Sequence, residues 1–503
     1  MTIDCDVLII GGGINGAGIA RDAAGRGLSV ILCEKDDLAS HTSSASTKLV
    51  HGGLRYLENF EFSLVRKSLI EREVLLRSAP HIIWPLRFVM PHDRSQRPAW
   101  IIRSGLFLYD RLARRQLLPA SCGVNLQRDQ VGTPLKPHFT RGFMYSDGWV
   151  DDARLVVLSA LDAAERGAQI LTHCHCRSAT RSDDRWQAEL CRADGSVFDV
   201  SARCLINATG PWAADFCKTN LQHSPSKALR LIKGSHIVVP RLFDHPHAYI
   251  FQHPDRRIVF AIPYEHDFTL IGTTDVDYHG PIDAVAIDAD EINYLCKLAS
   301  HYFQQPILPE HVVWSYSGVR PLVEDHTTSA SAVTRDYQLE YDVAGAPLLS
   351  VFGGKITTFR KLAEEVLDLI APALQNHAGH WTAAACLPGG DLYGAPSNRA
   401  VHEFDLFVAS KQREFAWLDP SVVRRYVRAY GTRIDHLLAG CTGLVDMGVQ
   451  IVSGLYEAEV TYLRRVEWAT SAQDILWRRS KLGLQLPSNA AEVLARWLDD
   501  HPA

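Results

Sequence analysis

The sequence predicts a mixed α/β chain of several domains, and three observations carry that prediction. A glycine-rich turn between two short apolar strands opens the chain, strand patterns fill its middle, and capped helical patterns fill its last quarter. At 503 residues there is room for roughly two to four domains and a sizeable buried core. Hydrophobic residues make up 47% and charged residues 22%, which excludes wholesale disorder. A net charge of −5 argues against nucleic-acid binding as a main activity. The eleven cysteines form no C-x-x-C pair, so neither a disulfide framework nor a zinc ribbon is expected, and a reducing compartment is. No apolar run reaches the length of a spanning helix. Thr2, Asp4 and Asp6 lead at once into a strand rather than a secretory signal. A membrane would therefore be met from one side only.

Asp6 to Ile10 is apolar on consecutive positions, the pattern of a strand buried on both faces. It runs into Gly11, Gly13 and Gly16 at G-x-G-x-x-G spacing, then a helical pattern with Ile19, Ala20, Ala23 and Ala24 on one face and Gly25 or Gly27 to end it. Leu28 to Cys33 is the second strand. Glu34 follows 18 residues after Gly16, where an acid binds ribose hydroxyls and disfavours a 2′-phosphate. Such a turn needs a bend without Cβ atoms, close approach to a diphosphate, and a helix N-terminus aimed at it. Dinucleotide binding is the expectation. Cys204 to Asn207 is an apolar strand ending in Ala208-Thr209-Gly210, and Arg257–Pro263 and Phe268–Gly272 read as strands of a second sheet. Leu348 to Phe352 is another apolar strand, followed by Gly353-Gly354 and a helix over Phe359–Ile370, with Thr357 or Thr358 as N-cap. After Pro388-Gly389-Gly390 the pattern is helical. Asp419-Pro420 caps a helix with Val423, Tyr426, Val427 and Tyr430 on one face and Gly431 at its end. Asn489 with Glu492 resembles a capping box before Val493, Leu494, Trp497 and Leu498.

Between these elements stand longer motifs. SSAS-K (Ser43 to Lys48), HGGLRYLE (His51 to Glu58), YSDGWVDDARL (Tyr145 to Leu155) and NATGPW (Asn207 to Trp212) come first. IKGSHIVVP (Ile232 to Pro240), IGTTDVDY (Ile271 to Tyr278), YSGVRPL (Tyr316 to Leu322), TRDY (Thr334 to Tyr337) and FGGK-TT-RKLAE (Phe352 to Glu364) follow in order. The set resembles the FAD-dependent, membrane-associated glycerol-3-phosphate dehydrogenases of the aerobic, respiratory branch, from about Asp4 to Pro372. LPGG at Leu387, YEAE at Tyr456 and LWRR at Leu476 extend the resemblance more weakly. Gln375 to Ala385 and Val401 to Ser421 depart from it. An EF-hand loop is absent, which does not support the calcium-regulated mitochondrial branch, and clustered cysteines are absent, against the anaerobic one.

The resemblance implies a discontinuous FAD domain of the glutathione-reductase/D-amino-acid-oxidase type over 1–80, 140–215 and 345–385. Substrate-domain material would be 81–139 and 216–344, and a helical domain would fill 386–503. It implies non-covalent FAD, oxidation of sn-glycerol 3-phosphate to dihydroxyacetone phosphate, and electrons passed to ubiquinone. A homodimer attached peripherally to the cytoplasmic face of the cell membrane is also implied. Cofactor contacts would come from Gly11, Gly13, Asn15, Gly16, Glu34, Ser43, Ser44, Ala208, Gly210, Gly318, Gly353, Gly354, Lys355 and Thr357. Arg55, Tyr56, Arg320, Arg335 and Lys355 would line the substrate pocket, arginine suiting phosphate because its planar fork donates two parallel hydrogen bonds.

Oxidising a secondary alcohol also requires a base for the hydroxyl proton. His236 is the first choice because a neutral imidazole accepts a proton near pH 7. Lys355 is the alternative, as base or as stabiliser of the developing alkoxide, beside Arg320. His51 is read as positional and the other histidines, including His245 and His247, as surface groups. No metal is expected, since Cys174-His175-Cys176 lacks a second ligand pair. Competing functions are an oxygen-using glycerol-3-phosphate oxidase, an amine-oxidising flavoprotein, and a flavin-bearing protein without turnover. Two stretches suit an anionic membrane surface: Trp100 to Arg115, and the basic run Arg478, Arg479 and Lys481 beside Trp477 and Leu482.

Overall fold

Consecutive apolar residues put Thr2–Ile10 in the middle of an eight-stranded sheet, paired in parallel with Val197–Asn207 on one side and Val30–Cys33 on the other. Gln169–Leu171 extends the parallel run beyond Val30–Cys33, and Leu348–Phe352 extends it beyond Val197–Asn207. The helices Ile14–Gly25, Asp152–Glu165 and Phe359–Leu374 pack together over this sheet, burying Ala17, Ala20, Val156, Leu362 and Val366. Parallel strands joined through helices need cover on both faces. The antiparallel pair Cys174–Arg181 and Trp186–Arg192 lies along one side, with Trp186 and Leu190 buried beneath it. The computed structural model describes residues 2–93, 96–224, 227–252, 257–324 and 336–502.

A second sheet, of ten strands, carries the other face of the site. Its centre is Leu229–Pro240, flanked by Phe268–Gly272 and Trp314–Val323, and Ile83–His92 pairs with Arg141–Val150 further along. Two longer segments fall elsewhere than expected, and the short strand Leu49–Val50, also expected with the dinucleotide unit, pairs with the first of them. Arg141–Val150, expected with the dinucleotide unit, belongs to this second sheet, and Gln338–Asp342, expected with the substrate unit, pairs with Leu348–Phe352 in the first. Hydrogen-bond register across the chain decides both, and no local pattern reports it.

The helical end has its own core around Val423, Tyr426, Val427, Leu463, Ile475 and Leu494. Asp419 caps Pro420–Tyr430 through the Ser421 amide, with proline at the first helical position and Gly431 at the end. The capping box at Asn489 is not formed: Ala490–Asp500 begins there without a side-chain bond, and Leu494 and Leu498 are its buried face. Neither threonine caps Phe359–Leu374 by a side-chain bond, because Ile356–Thr358 is a preceding 3₁₀ turn that buries both. That helix runs past Ile370 and carries Pro372 in its last turn.

The basic run near the C-terminus is not a surface. Arg479 donates from both terminal nitrogens to Asp37 at 2.7 Å, Arg478 Nε reaches the same carboxylate at 2.6 Å, and Lys481 and Leu482 are buried. Arg478 and Arg479 fasten the helical unit to the turn after Val30–Cys33, and Lys481 donates to the Trp477 carbonyl, so the charges of this run are spent within the protein. Among the described residues no helix is long and apolar enough to cross a membrane.

Candidate active site

The three fingerprint glycines are required for different reasons. Gly11 has φ +109°, and a Cβ there would lie 2.5 Å from the Ala208 carbonyl oxygen. A Cβ on Gly16 would sit 1.9 Å from the Gly11 carbonyl oxygen, so that glycine lets helix and strand close together. Gly13 differs: the only described atom near its Cβ position is Ser43 Oγ, at 3.1 Å, and the residue lines an open cleft. The Ile14 amide donates to Ser43 Oγ at 3.0 Å, which ties the helix start to the SSAS-K loop. Glu34 stands on the same wall. Its two carboxylate oxygens accept from the Gly12 amide at 2.6 Å and the Asp36 amide at 2.9 Å, and burial pushes it above the usual carboxylate range.

Gly11, Gly13, Asn15, Glu34, Ser43, Ala208, Gly210, Gly353 and Gly354 all line this cleft. Gly353 and Gly354 have φ of +78° and +107°, and Asn15 Nδ2 donates to the Gly353 carbonyl at 3.2 Å, joining two segments 338 residues apart. An elongated group with a diphosphate in its middle fits: a backbone cradle that a Cβ would fill, a helix N-terminus, and an acid at one end. Five expected contacts, Lys355 among them, are not in its lining. Gly16 packs the helix, Ser44 Oγ donates to the His41 carbonyl, Gly318 abuts Ala45, and Thr357 Oγ1 accepts from the His51 amide. His51 is thereby held by the turn that carries Lys355.

Next to the cleft wall formed by Pro321, Gly353 and Gly354, segments from across the chain come close. Lys355 Nζ stands 3.8 Å from the centre of the Tyr56 ring. Gly353 lies against the Pro321 carbonyl, which brings the Arg320 strand beside the Lys355 turn. Arg320 donates to Asp275 Oδ1 at 2.6 Å and Thr273 Oγ1 at 2.8 Å, and only a glycine at 234 leaves space for its guanidinium. Arg55 is half-buried on the 3₁₀ turn Leu54–Asn59, and Arg335 lies outside the described residues.

His236 is fully buried and stacks on Tyr316 with centroids 4.7 Å apart, its Nε2 3.0 Å from Thr47 Oγ1. Burial first, then the charges of Arg320 and Lys48, push its imidazole well below the ordinary histidine range. Other histidines expected at the surface are not there. His81 and His245 are buried, His245 bonding Tyr249, and His41 lines the cleft against Asp36 at 2.7 Å. Cys174, His175 and Cys176 line the cleft near Glu34, with Trp212 and Asn220, and were not expected there. Thr47, Lys48, Asp152, Thr273 and Asp275 also went unread, though each falls inside a quoted motif.

The chain matches the family model described as FAD dependent oxidoreductase over residues 6–360, and that of the C-terminal domain of alpha-glycerophosphate oxidase over 380–499. It is 51% identical over 500 residues to a glycerol-3-phosphate dehydrogenase of Pseudomonas aeruginosa, covering 99% of this chain and 96% of that one. A D-erythritol 1-phosphate dehydrogenase of Brucella abortus is 49% identical over 498 residues, covering 99% and 98%. The crystal structure of the glycerol-3-phosphate dehydrogenase from Bacillus halodurans complexed with FAD superposes with a TM-score of 0.78 at 27% identity, over 99% of this chain and 90% of that one.

Proposed function

Because this chain belongs to the FAD-dependent glycerol-3-phosphate dehydrogenases, we propose that it works as a respiratory enzyme: it oxidises sn-glycerol 3-phosphate to dihydroxyacetone phosphate and passes the electrons to a membrane quinone. The observation that supports this reading is the pair of cations on segments next to the cleft wall: Lys355, over the Tyr56 ring, follows the cleft-lining Gly353 and Gly354, and Arg320 precedes the cleft-lining Pro321. Bound in the cleft, FAD would accept the hydride from the carbinol carbon. Arg55, Arg320 and Lys355 supply positive charge for a phosphate dianion, with Arg335 as a further candidate, and Asp275 orients Arg320. His236, held uncharged, takes the hydroxyl proton, and Thr47 sets the orientation of its ring. Lys355 is the rival base. Anaerobic mixing with glycerol 3-phosphate tests the assignment: the flavin absorbance should bleach within one turnover, and an unchanged spectrum would sink it.

A second reading has one observation behind it, the 49% identity to an enzyme named for D-erythritol 1-phosphate. The two substrates differ by one hydroxymethylene unit, and a kcat/KM for each decides between them. Oxygen as acceptor would show as stoichiometric hydrogen peroxide.

The quinone requires a membrane surface. In the helix Ala99–Arg111 only Leu106 and Tyr109 are buried, while Trp100 is 70% and Phe107 53% exposed, with Phe60 78% exposed on the turn after Leu54–Asn59. Arg111 lies over the Phe107 ring, a pairing of cation and apolar surface that suits an interface with anionic lipid. Sedimentation with anionic vesicles should carry the protein down, and Trp100→Ser with Phe107→Ser should release it. Failure to sediment at any salt concentration would remove the membrane claim.

A further inference from the structure

The loop of residues 42–48 runs from the cofactor cleft to His236, and one buried carboxylate holds it. Asp152, at the start of the helix Asp152–Glu165, accepts from the Ser46 amide at 3.1 Å and the Ser46 hydroxyl at 2.7 Å. It also accepts from Lys48 Nζ at 2.8 and 2.9 Å on its two oxygens. Lys48 is 1% exposed, has φ +61°, donates to the Ser44 carbonyl at 2.8 Å, and stands 4.7 Å from the Tyr316 ring centre. Tyr316 OH donates to the Ser46 carbonyl at 2.8 Å, and the same ring stacks on His236. A buried ion pair contributes little net stability, because desolvation offsets the attraction between its charges. What it does supply is a single geometry for the residues it ties.

We infer that Lys48, fixed by Asp152, is a positioning residue for substrate oxidation: it holds the Thr47 hydroxyl on His236 Nε2 and sets its ammonium beside the Tyr316–His236 stack. The inference rests on His236 as the base. The groups that face this imidazole are Arg320 and Tyr316 from the strand Trp314–Val323, Thr47 and Lys48 from the loop, and Gly272 from the neighbouring strand. None of them is an acid. The ring therefore has two cations and no carboxylate to answer, and is held in its neutral form.

The test compares the wild-type holoenzyme with Lys48→Met and with the double variant Lys48→Met/Asp152→Asn, which removes both buried charges and strands neither. His236→Gln is measured in parallel. Three quantities are read: FAD content, the anaerobic rate of flavin reduction by glycerol 3-phosphate from about pH 4 to about pH 9, and the ¹⁵N resonances of the His236 ring. The double variant should keep its FAD and reduce it about 10-fold or more slowly at alkaline pH. Its acid limb and its His236 resonance should both move up by about half a pH unit or more. An unmoved limb and resonance overturn the inference. So does a double variant that loses FAD altogether, since the pair would then hold the fold and not the Thr47 contact. If His236→Gln keeps the wild-type acid limb, the base assignment itself fails, a result separate from the behaviour of Lys48.

Discussion

The cleft and the region next to it are built in opposite ways. The end at Gly11, Gly13 and Glu34 comes from one strand–turn–helix–strand stretch of fewer than forty residues, and its groups touch one another through main-chain amides. The region behind the Pro321 and Gly353 wall draws Thr47, Tyr56, His236, Arg320 and Lys355 from five separate segments, held by side-chain ion pairs, stacked rings and burial. A local unit can bind a group by shape alone. Setting the charge state of a buried imidazole takes burial and fixed charges, which only distant parts of the chain can bring together.

The largest expected effect lies at the local end. Gly13→Val should purify without flavin and without activity while its apoprotein still folds, because the added side chain points into the cleft. Gly16→Val should instead lower the melting temperature sharply, its Cβ falling 1.9 Å from the Gly11 carbonyl oxygen. Flavin absorbance per protein and circular-dichroism melting separate the two, and a fully yellow Gly13→Val would break the comparison. Next comes His236→Gln, expected to slow flavin reduction about 10²–10⁴-fold with FAD content unchanged. Normal reduction there, with a collapse in Lys355→Met, would transfer the base role to the lysine. Smaller again is Arg320→Ala, which should raise KM for glycerol 3-phosphate by about 10- to 100-fold. Uncharged glycerol should be affected little; equal losses on both would mean that Arg320 holds structure.

The smallest effect concerns stability. His81 is fully buried, neither ring nitrogen has a partner among the described residues, and burial with the charges of Arg154 and Arg428 pushes it down to about 3. The unfolded chain takes up a proton near pH 6.5 and the folded one does not until about pH 3. Stability from this group is therefore complete above pH 6.5 and lost progressively as pH falls, by about 2 kcal/mol at about pH 5. His81→Gln should flatten the fall in melting temperature between neutral and mildly acid solution. An unchanged slope would assign that fall to other groups.

What the sequence by itself determined lies mostly where the physics is local. A tight turn without Cβ atoms, an apolar strand, Asp419-Pro420 before a helix and Gly431 after it are decided within a few residues, and they read correctly. Gly11, Gly13, Asn15, Glu34, Ser43, Ala208, Gly210, Gly353 and Gly354, which line the cleft, were legible as candidates for the same reason, whereas the cleft-lining His41 and Thr42 were not. The region behind the Pro321 and Gly353 wall was legible only as isolated cations and one histidine. That Arg479 is consumed by Asp37, 442 residues away in sequence, that Asp152 fastens Lys48, and that His81 and His245 are buried are decisions of the tertiary structure. A charged or titratable side chain carries no local signal of its partner. Whether it faces water, an ion of opposite sign or a ring is set by which segments the two sheets bring together, and that environment fixes its charge state and its use.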